Sequence, residues 1–153
     1  MISSLLLTLQ VFSAFSIQGL ASQSLQVPKC SCWAYYYCIS ENSRIYLAHK
    51  IVETMNRTDW KPKYLCHFES FCQSMMTGLD EYEKYKEDYD KLEHEMVKTN
   101  EPKRLGEKEL ETFINKAVES WKNNITKLIN KTRFGCELAD TVSNTKLLCL
   151  FSW

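Results

Sequence analysis

Thr132-Arg133-Phe134-Gly135-Cys136 and Leu147-Leu148-Cys149-Leu150-Phe151, close to the end of this 153-residue chain, are the stretches on which the fold turns. Upstream of them, apolar residues recur every three or four positions. Here they gather into short runs around a polar turn centred near Ser143-Asn144, which is the pattern of two short strands. The strands make the chain α+β and helix-rich; the alternative is an all-α disulfide-bonded domain. Two strands form a stable sheet only when helices cover them. Cys136 and Cys149 lie one in each strand and could staple the pair, or Cys136 could reach a helix cysteine.

Before the first strand, Leu110, Phe113, Ile114, Ala117, Val118, Trp121 and Ile125 mark a strong helical face, separated from what precedes by the break Asn100-Glu101-Pro102 to Gly106. Between Asp80 and Glu95 stand eight acidic residues and three lysines, a local balance of −5. Leu79, Tyr82, Tyr85, Tyr89, Leu92 and Met96 recur through this stretch at helical spacing, predicting an amphipathic helix with a solvated acidic face. Further upstream, Tyr64, Leu65, Phe68, Phe71, Cys72, Met75, Met76 and Leu79 form one helical face, and Ile45, Ala48, Val52 and Met55 another, with Pro62 between them. The predicted order is four helices and then the strands.

The 19 Lys+Arg cancel the 19 Asp+Glu, and 44% hydrophobic residues fit a single globular domain, which excludes a tail-like or nucleic-acid-seeking polymer. From Lys98 to Arg133 nine basic residues face five acidic ones, +4, but the signs are interleaved, so this reads as a solvated helix surface with no nucleic-acid partner. Residues 1–21 carry no charged side chain. Leu5-Leu6-Leu7 through Ile17 is apolar and Gly19-Leu20-Ala21 closes it with small residues, as in a secretory signal; it is too short and too polar for an anchored span. After its removal the chain is expected to be non-membrane-spanning, with a Cys- and aromatic-rich segment at 22–40 and a single domain at 41–153.

Export places seven cysteines in an oxidising compartment: Cys30, Cys32, Cys38, Cys66, Cys72, Cys136 and Cys149. Their spacings lack the paired C-x2-C of structural zinc sites, so disulfides are expected, three bridges with one cysteine left over. Three N-x-S/T sequons, at Asn56, Asn124 and Asn130, agree with the secretory route and are candidate glycosylation sites. Catalytic signatures do not emerge. His49, His67 and His94 are the only histidines, and there is no G-x-S-x-G, no H-E-x-x-H and no glycine-rich phosphate loop, so neither an enzyme nor a cofactor is expected.

Several segments in order resemble the secreted CAP family, also called SCP/TAPS or venom-allergen-like. Met55 and Trp60 precede Tyr64-Leu65-Cys66-His67-Phe68-Glu69, similar to the family's Y-x-C-x-L-E. Leu105-Gly106-Glu107-Lys108 is similar to its G-E-N, Ala117-Val118-Glu119-Ser120-Trp121 to A-V-x-x-W, Thr132 to Cys136 to T-x-x-G-C, and Leu148 to Phe151 to V-C-x-Y. The resemblance covers about residues 41–151. It implies an α-β-α sandwich with a truncated sheet, and the acidic helix at about 80–98 as an insert.

The family's cavity carries two His and two Glu able to hold a divalent metal. Against that pattern, Glu41-Asn42-Ser43-Arg44 and Asn123-Asn124-Ile125-Thr126-Lys127 lack the histidines, and Asn124 stands where the second Glu belongs. Only Glu107 remains from the tetrad, and one carboxylate without imidazole partners makes no such metal site. The resemblance thus implies a shortened member with its cavity chemistry lost. It is expected to bind an extracellular or host protein through the insert or, alternatively, to carry a lipid or sterol.

Overall fold

The computed structural model describes residues 24–31, 38–57, 61–77, 94–140 and 143–153. The expected signal, Cys32 and residues 80–93 of the expected insert lie outside the described residues. In order the elements are α1 (Glu41–Met55), β1 (Lys63–Tyr64), α2 (Cys66–Thr77), β2 (His94–Glu101), α3 (Glu107–Lys127), β3 (Arg133–Asp140) and β4 (Thr145–Ser152). The sheet order is β1-β3-β4-β2, with β1 parallel to β3 and the other neighbours antiparallel.

The two C-terminal runs do pair as a hairpin, and each is longer than the sequence alone suggested. In β4 almost every residue is buried, because it is a central strand covered on both faces, which is why its sequence is nearly continuous Leu and Phe rather than alternating. Side chains alternate across the sheet. Val97, Phe134, Cys136, Leu138, Leu147, Cys149 and Phe151 face a large core shared with α1 and α3, whereas Leu148 and Leu150 meet Phe68 and Cys72 of α2. The result is an α-β-α sandwich, with α1 and α3 on one face and α2 on the other.

Local chemistry fixes the helix ends. Ser40 caps α1 by accepting from the Ser43 amide at 3.2 Å, and Asn56 ends it in the left-handed region at φ 50°. The Glu109 carboxylate reaches back to the Gly106 amide at 3.1 Å and pairs with Lys103 at 2.7 Å, which starts α3. Its apolar face is the one read from the sequence: Phe113, Ile114, Ala117, Val118, Trp121 and Ile125 are all buried.

Three expectations need correction. Residues 94–101, the end of the expected acidic helix and the start of the following break, form the edge strand β2, whose registration on β4 from His94↔Ser152 to Glu101↔Thr145 overrides the helical spacing of Leu92 and Met96. The described helices are therefore not consecutive: β1 precedes α2, and β2 separates α2 from α3. Tyr64, read as helical, sits in β1. In α1 the buried face is Arg44, Leu47, Ala48, Ile51, Val52 and Met55, while Ile45 is exposed.

The Cys136–Cys149 disulfide joins residues directly opposite in the hairpin, with Cα atoms 4.1 Å apart, so it fastens β3 to β4 in one register. Cys30–Cys66 ties the N-terminal segment to the start of α2, and Cys38 is also disulfide-bonded. Cys72, a disulfide candidate on sequence, is instead a free thiol, wholly buried against the Gly135 carbonyl at 3.7 Å. Burial pushes its pKa well up, so it is a packing residue rather than a nucleophile.

At the outer edge of the sheet, the Trp121 indole donates to the Lys98 carbonyl of β2 at 3.3 Å. At the other side, α2 lies so close on β3 that a Cβ at Gly135 would stand 2.6 Å from the Leu65 carbonyl oxygen and 2.6 Å from the Phe68 Cβ. Gly135→Ala is expected to cost about 1–3 kcal/mol, read as a lower urea midpoint with the Cys136–Cys149 bridge intact. An unchanged midpoint would mean that α2 yields at no cost.

Candidate functional site

Two features stand out: a buried charged cluster between α1 and α2, and a groove beside β2. In the first, Arg44 of α1 grips Glu69 of α2 through both Nε and Nη2 at 2.6 Å, with both side chains almost fully buried. Glu69 also accepts from the Tyr64 hydroxyl at 2.8 Å, and that hydroxyl faces the Cys136 carbonyl at 2.9 Å and the Cys136 amide at 3.3 Å. Arg44 donates further to the Ile39 carbonyl at 3.3 Å. Beside them Glu137, 1% exposed, accepts from the amides of Ile39 and Leu138, both at 2.8 Å.

The electrostatics follow from burial and pairing. The Glu69 hydrogen bond holds the Arg44 guanidinium above its ordinary pKa. Burial, reinforced by the Glu69 charge, holds the Tyr64 phenol far above its usual range. Burial first, and then the negative Glu69, pushes Glu137 up to about 8, while its two amide donors and Arg44 oppose the shift. Each of these groups has partners within the fold, so the cluster offers no unpaired acid, base or nucleophile. It is a tie between layers.

Glu107 opens α3. Glu41, at the start of α1, and Asn124, near the end of α3, are both exposed. Among the described residues no three His, Cys, Asp or Glu side chains gather closely enough to hold a metal ion. The sequon asparagines are all on the surface: Asn56 in its left-handed cap, Asn124 on α3, and Asn130 in the turn after it. Asn124 and Asn130 line one cleft with Trp153, whose ring carries Lys131 Nζ at 4.2 Å. No described helix is long and apolar enough to cross a membrane.

The second feature is a groove of about 510 Å³ between the end of α2 and the β2–β4 side of the sheet. It is lined by Met75, Met76, Met96, Lys98, Lys146 and Leu148, among others. Its volume lies within the roughly 300–1,000 Å³ of ordinary ligand sites. It lies between the last turn of α2, which ends at Thr77, and β2, which starts at His94, the elements that flank the expected insert. No sequence pattern pointed to it, because Met75 and Met76 read as core and Met96 as part of a helix stripe. Glu137 escaped notice, and Arg44 was read only as the end of a motif lacking its histidine, for a related reason: a charged residue in a helix or strand run reads as solvated until its buried partner is known.

Two outcomes test the cluster. Arg44→Met, which strands the Glu69 carboxylate in the core, is expected to lower stability by about 3–5 kcal/mol, and adding Glu69→Met to restore most of it, both measured by chemical denaturation. Because the folded pKa of Glu137 lies above its ordinary 4.5, its contribution is full below that value and is lost as pH rises through about 8. Glu137→Gln keeps the carbonyl acceptor for Ile39 and Leu138 and has no proton to lose. It is expected to flatten the pH dependence of stability between those values, by an amount on the order of a few kcal/mol.

Residues 30–151 match the profile of a family described as Ancylostoma-associated secreted protein related. No curated protein matches by sequence. Among solved structures, the Ancylostoma-secreted protein Ac-ASP-7 aligns at TM-score 0.52 and 10% identity, covering 81% of this chain and 76% of that one. The crystal structure of NaASP2 with Zn²⁺ aligns at 0.52 and 9%, covering 79% of this chain and 83% of that one. Na-ASP-1 also aligns at 0.52, with 12% identity, covering 82% of this chain and 42% of that longer one. At such identities the likeness is one of fold, and its family names and the disulfides fit an extracellular protein. The matched profile spans most of the sequence, and the chain belongs to the Ancylostoma-associated secreted protein related family, within the CAP superfamily.

Proposed function

We propose that the chain is a secreted, non-enzymatic binding protein that engages an extracellular protein partner through the groove between α2 and β2. The observation that carries this reading is a contrast within the molecule. Its buried Arg44, Tyr64, Glu69 and Glu137 are tied to one another and to backbone, whereas the groove presents flexible Met side chains on the surface. Polar groups held by partners stabilise; a concave apolar surface invites a ligand. The uncharged leader at 1–21 and the disulfides support export.

A second reading, a carrier for a small lipid or sterol, is favoured by the groove's size and its Met and Leu lining. The two separate by experiment. Met76→Asp combined with Met96→Asp places charge in the groove and is expected to lower capture of proteins from extracellular fluid onto the immobilised chain by about tenfold, with far-UV circular dichroism unchanged. Undiminished capture would overturn the groove as the binding surface. Mass spectrometry of an organic extract of the secreted protein checks the carrier reading, which requires a bound lipid.

A further inference from the structure

The groove has a sign as well as a shape. Its sheet floor is the face on which Met96, Lys98 and Asn100 of β2 alternate with Glu95, Val97 and Thr99 on the opposite face. Registration sets Lys98 opposite Leu148 and Asn100 opposite Lys146, so the two lysines share this face diagonally across neighbouring strands. Glu95 and Glu101, the carboxylates of β2, belong to the other face, and no described carboxylate lines the groove. Lys146 donates to the Met76 carbonyl at 3.4 Å, near the C-terminus of α2, which uses one of its three N–H donors. Lys98 is exposed and has no carboxylate partner among the described residues.

The apolar part is unusual in kind. Of the five methionines, Met1 lies outside the described residues, Met55 is core, and the other three meet here. Unbranched thioethers adapt to apolar side chains of different shape, which suits a surface that takes a segment of polypeptide. The described walls are α2 on one side and the sheet below, with β2 at the edge of the described sheet. A peptide can place its large side chains between the methionines while its backbone and acidic groups remain at the rim.

From these features we infer that the groove docks an acidic peptide segment of a partner protein, with Leu or Phe anchors seated among Met75, Met76, Met96 and Leu148 and flanking Asp or Glu paired with Lys98 and Lys146. This inference rests on the groove being the binding surface proposed above, and deepens it by naming the partner's chemistry. The rim charges set specificity and salt dependence, and the methionines supply contact area.

The test uses the full secreted chain and three short fluorescent peptides: one alternating Glu with Leu and Phe, one with every Glu replaced by Lys, and one with every Leu and Phe replaced by Ser. By fluorescence anisotropy the acidic apolar peptide is expected to bind at least about tenfold more tightly than either counterpart, and to weaken with added salt. Lys98→Glu with Lys146→Glu, the first at an exposed and the second at a half-buried side chain, is expected to reverse the preference toward the basic peptide. Met96→Ser is expected to weaken both peptides alike. Equal binding of acidic and basic peptides, or indifference to the lysine reversal, would overturn the inference. So would saturable uptake of a fluorescent fatty acid that Met96→Ser abolishes while no peptide binds. If the lysine reversal leaves partner capture intact but the Met76→Asp, Met96→Asp variant abolishes it, the groove remains the binding surface and only the acidic class falls.

Discussion

The bidentate contact between Arg44 and Glu69 is the constraint around which the layers are arranged. α1 and α2 lie on opposite sides of the sheet, and β1 between them is only two residues long, so the usual separation of layers by a continuous sheet fails at this edge. The ion pair fills the gap, and Tyr64 extends it, its single hydroxyl hydrogen within reach of Glu69 and the Cys136 carbonyl while its oxygen accepts from the Cys136 amide. Buried ion pairs repay their desolvation only when geometry is good and further hydrogen bonds support them, and here the contact is bidentate, with Tyr64 and the Ile39 carbonyl as added partners. Glu137 brings the backbone before α1 into the same cluster through the Ile39 amide.

That cluster gives physical content to the motif residues. Tyr64, Cys66 and Glu69 read in the sequence as three letters at a fixed spacing. In the fold, Tyr64 bridges strand to helix, Cys66 holds the N-terminal segment by a disulfide, and Glu69 neutralises an arginine from the far layer. Gly135 has a comparable role by having no side chain, since β3 and α2 approach too closely to admit one. A spacing conserves nothing by itself; these contacts are what the spacing positions.

What could be read in advance follows from where the stabilising contacts lie. The α3 face was legible because seven apolar residues repeat at one period and a single core receives them. The hairpin was legible because the Leu-rich β4 is buried on both faces. β2 was not, because His94-Glu95-Met96-Val97-Lys98-Thr99-Asn100-Glu101 is an edge strand with one half-exposed face, and its conformation is decided by β4 rather than by its own residues. The odd cysteine could be counted but not named, since pairing depends on which Cα atoms the fold brings together, and Cys72 points into a tight apolar contact with Phe68, Leu148 and Leu150. The candidate groove was invisible for the same reason as β2: its floor is assembled from strands distant in sequence.

Edge strands expose main-chain donors and acceptors to any passing strand, and an apolar surface beside one compounds the hazard. Here β2 carries both, with Met96 open to solvent alongside it. The Trp121 indole, reaching the Lys98 carbonyl from beneath, occupies an acceptor midway along that strand and interrupts the ladder that an intruding chain would extend. That contact takes one backbone acceptor of the described edge out of reach of a pairing strand, at a residue that also lines the groove.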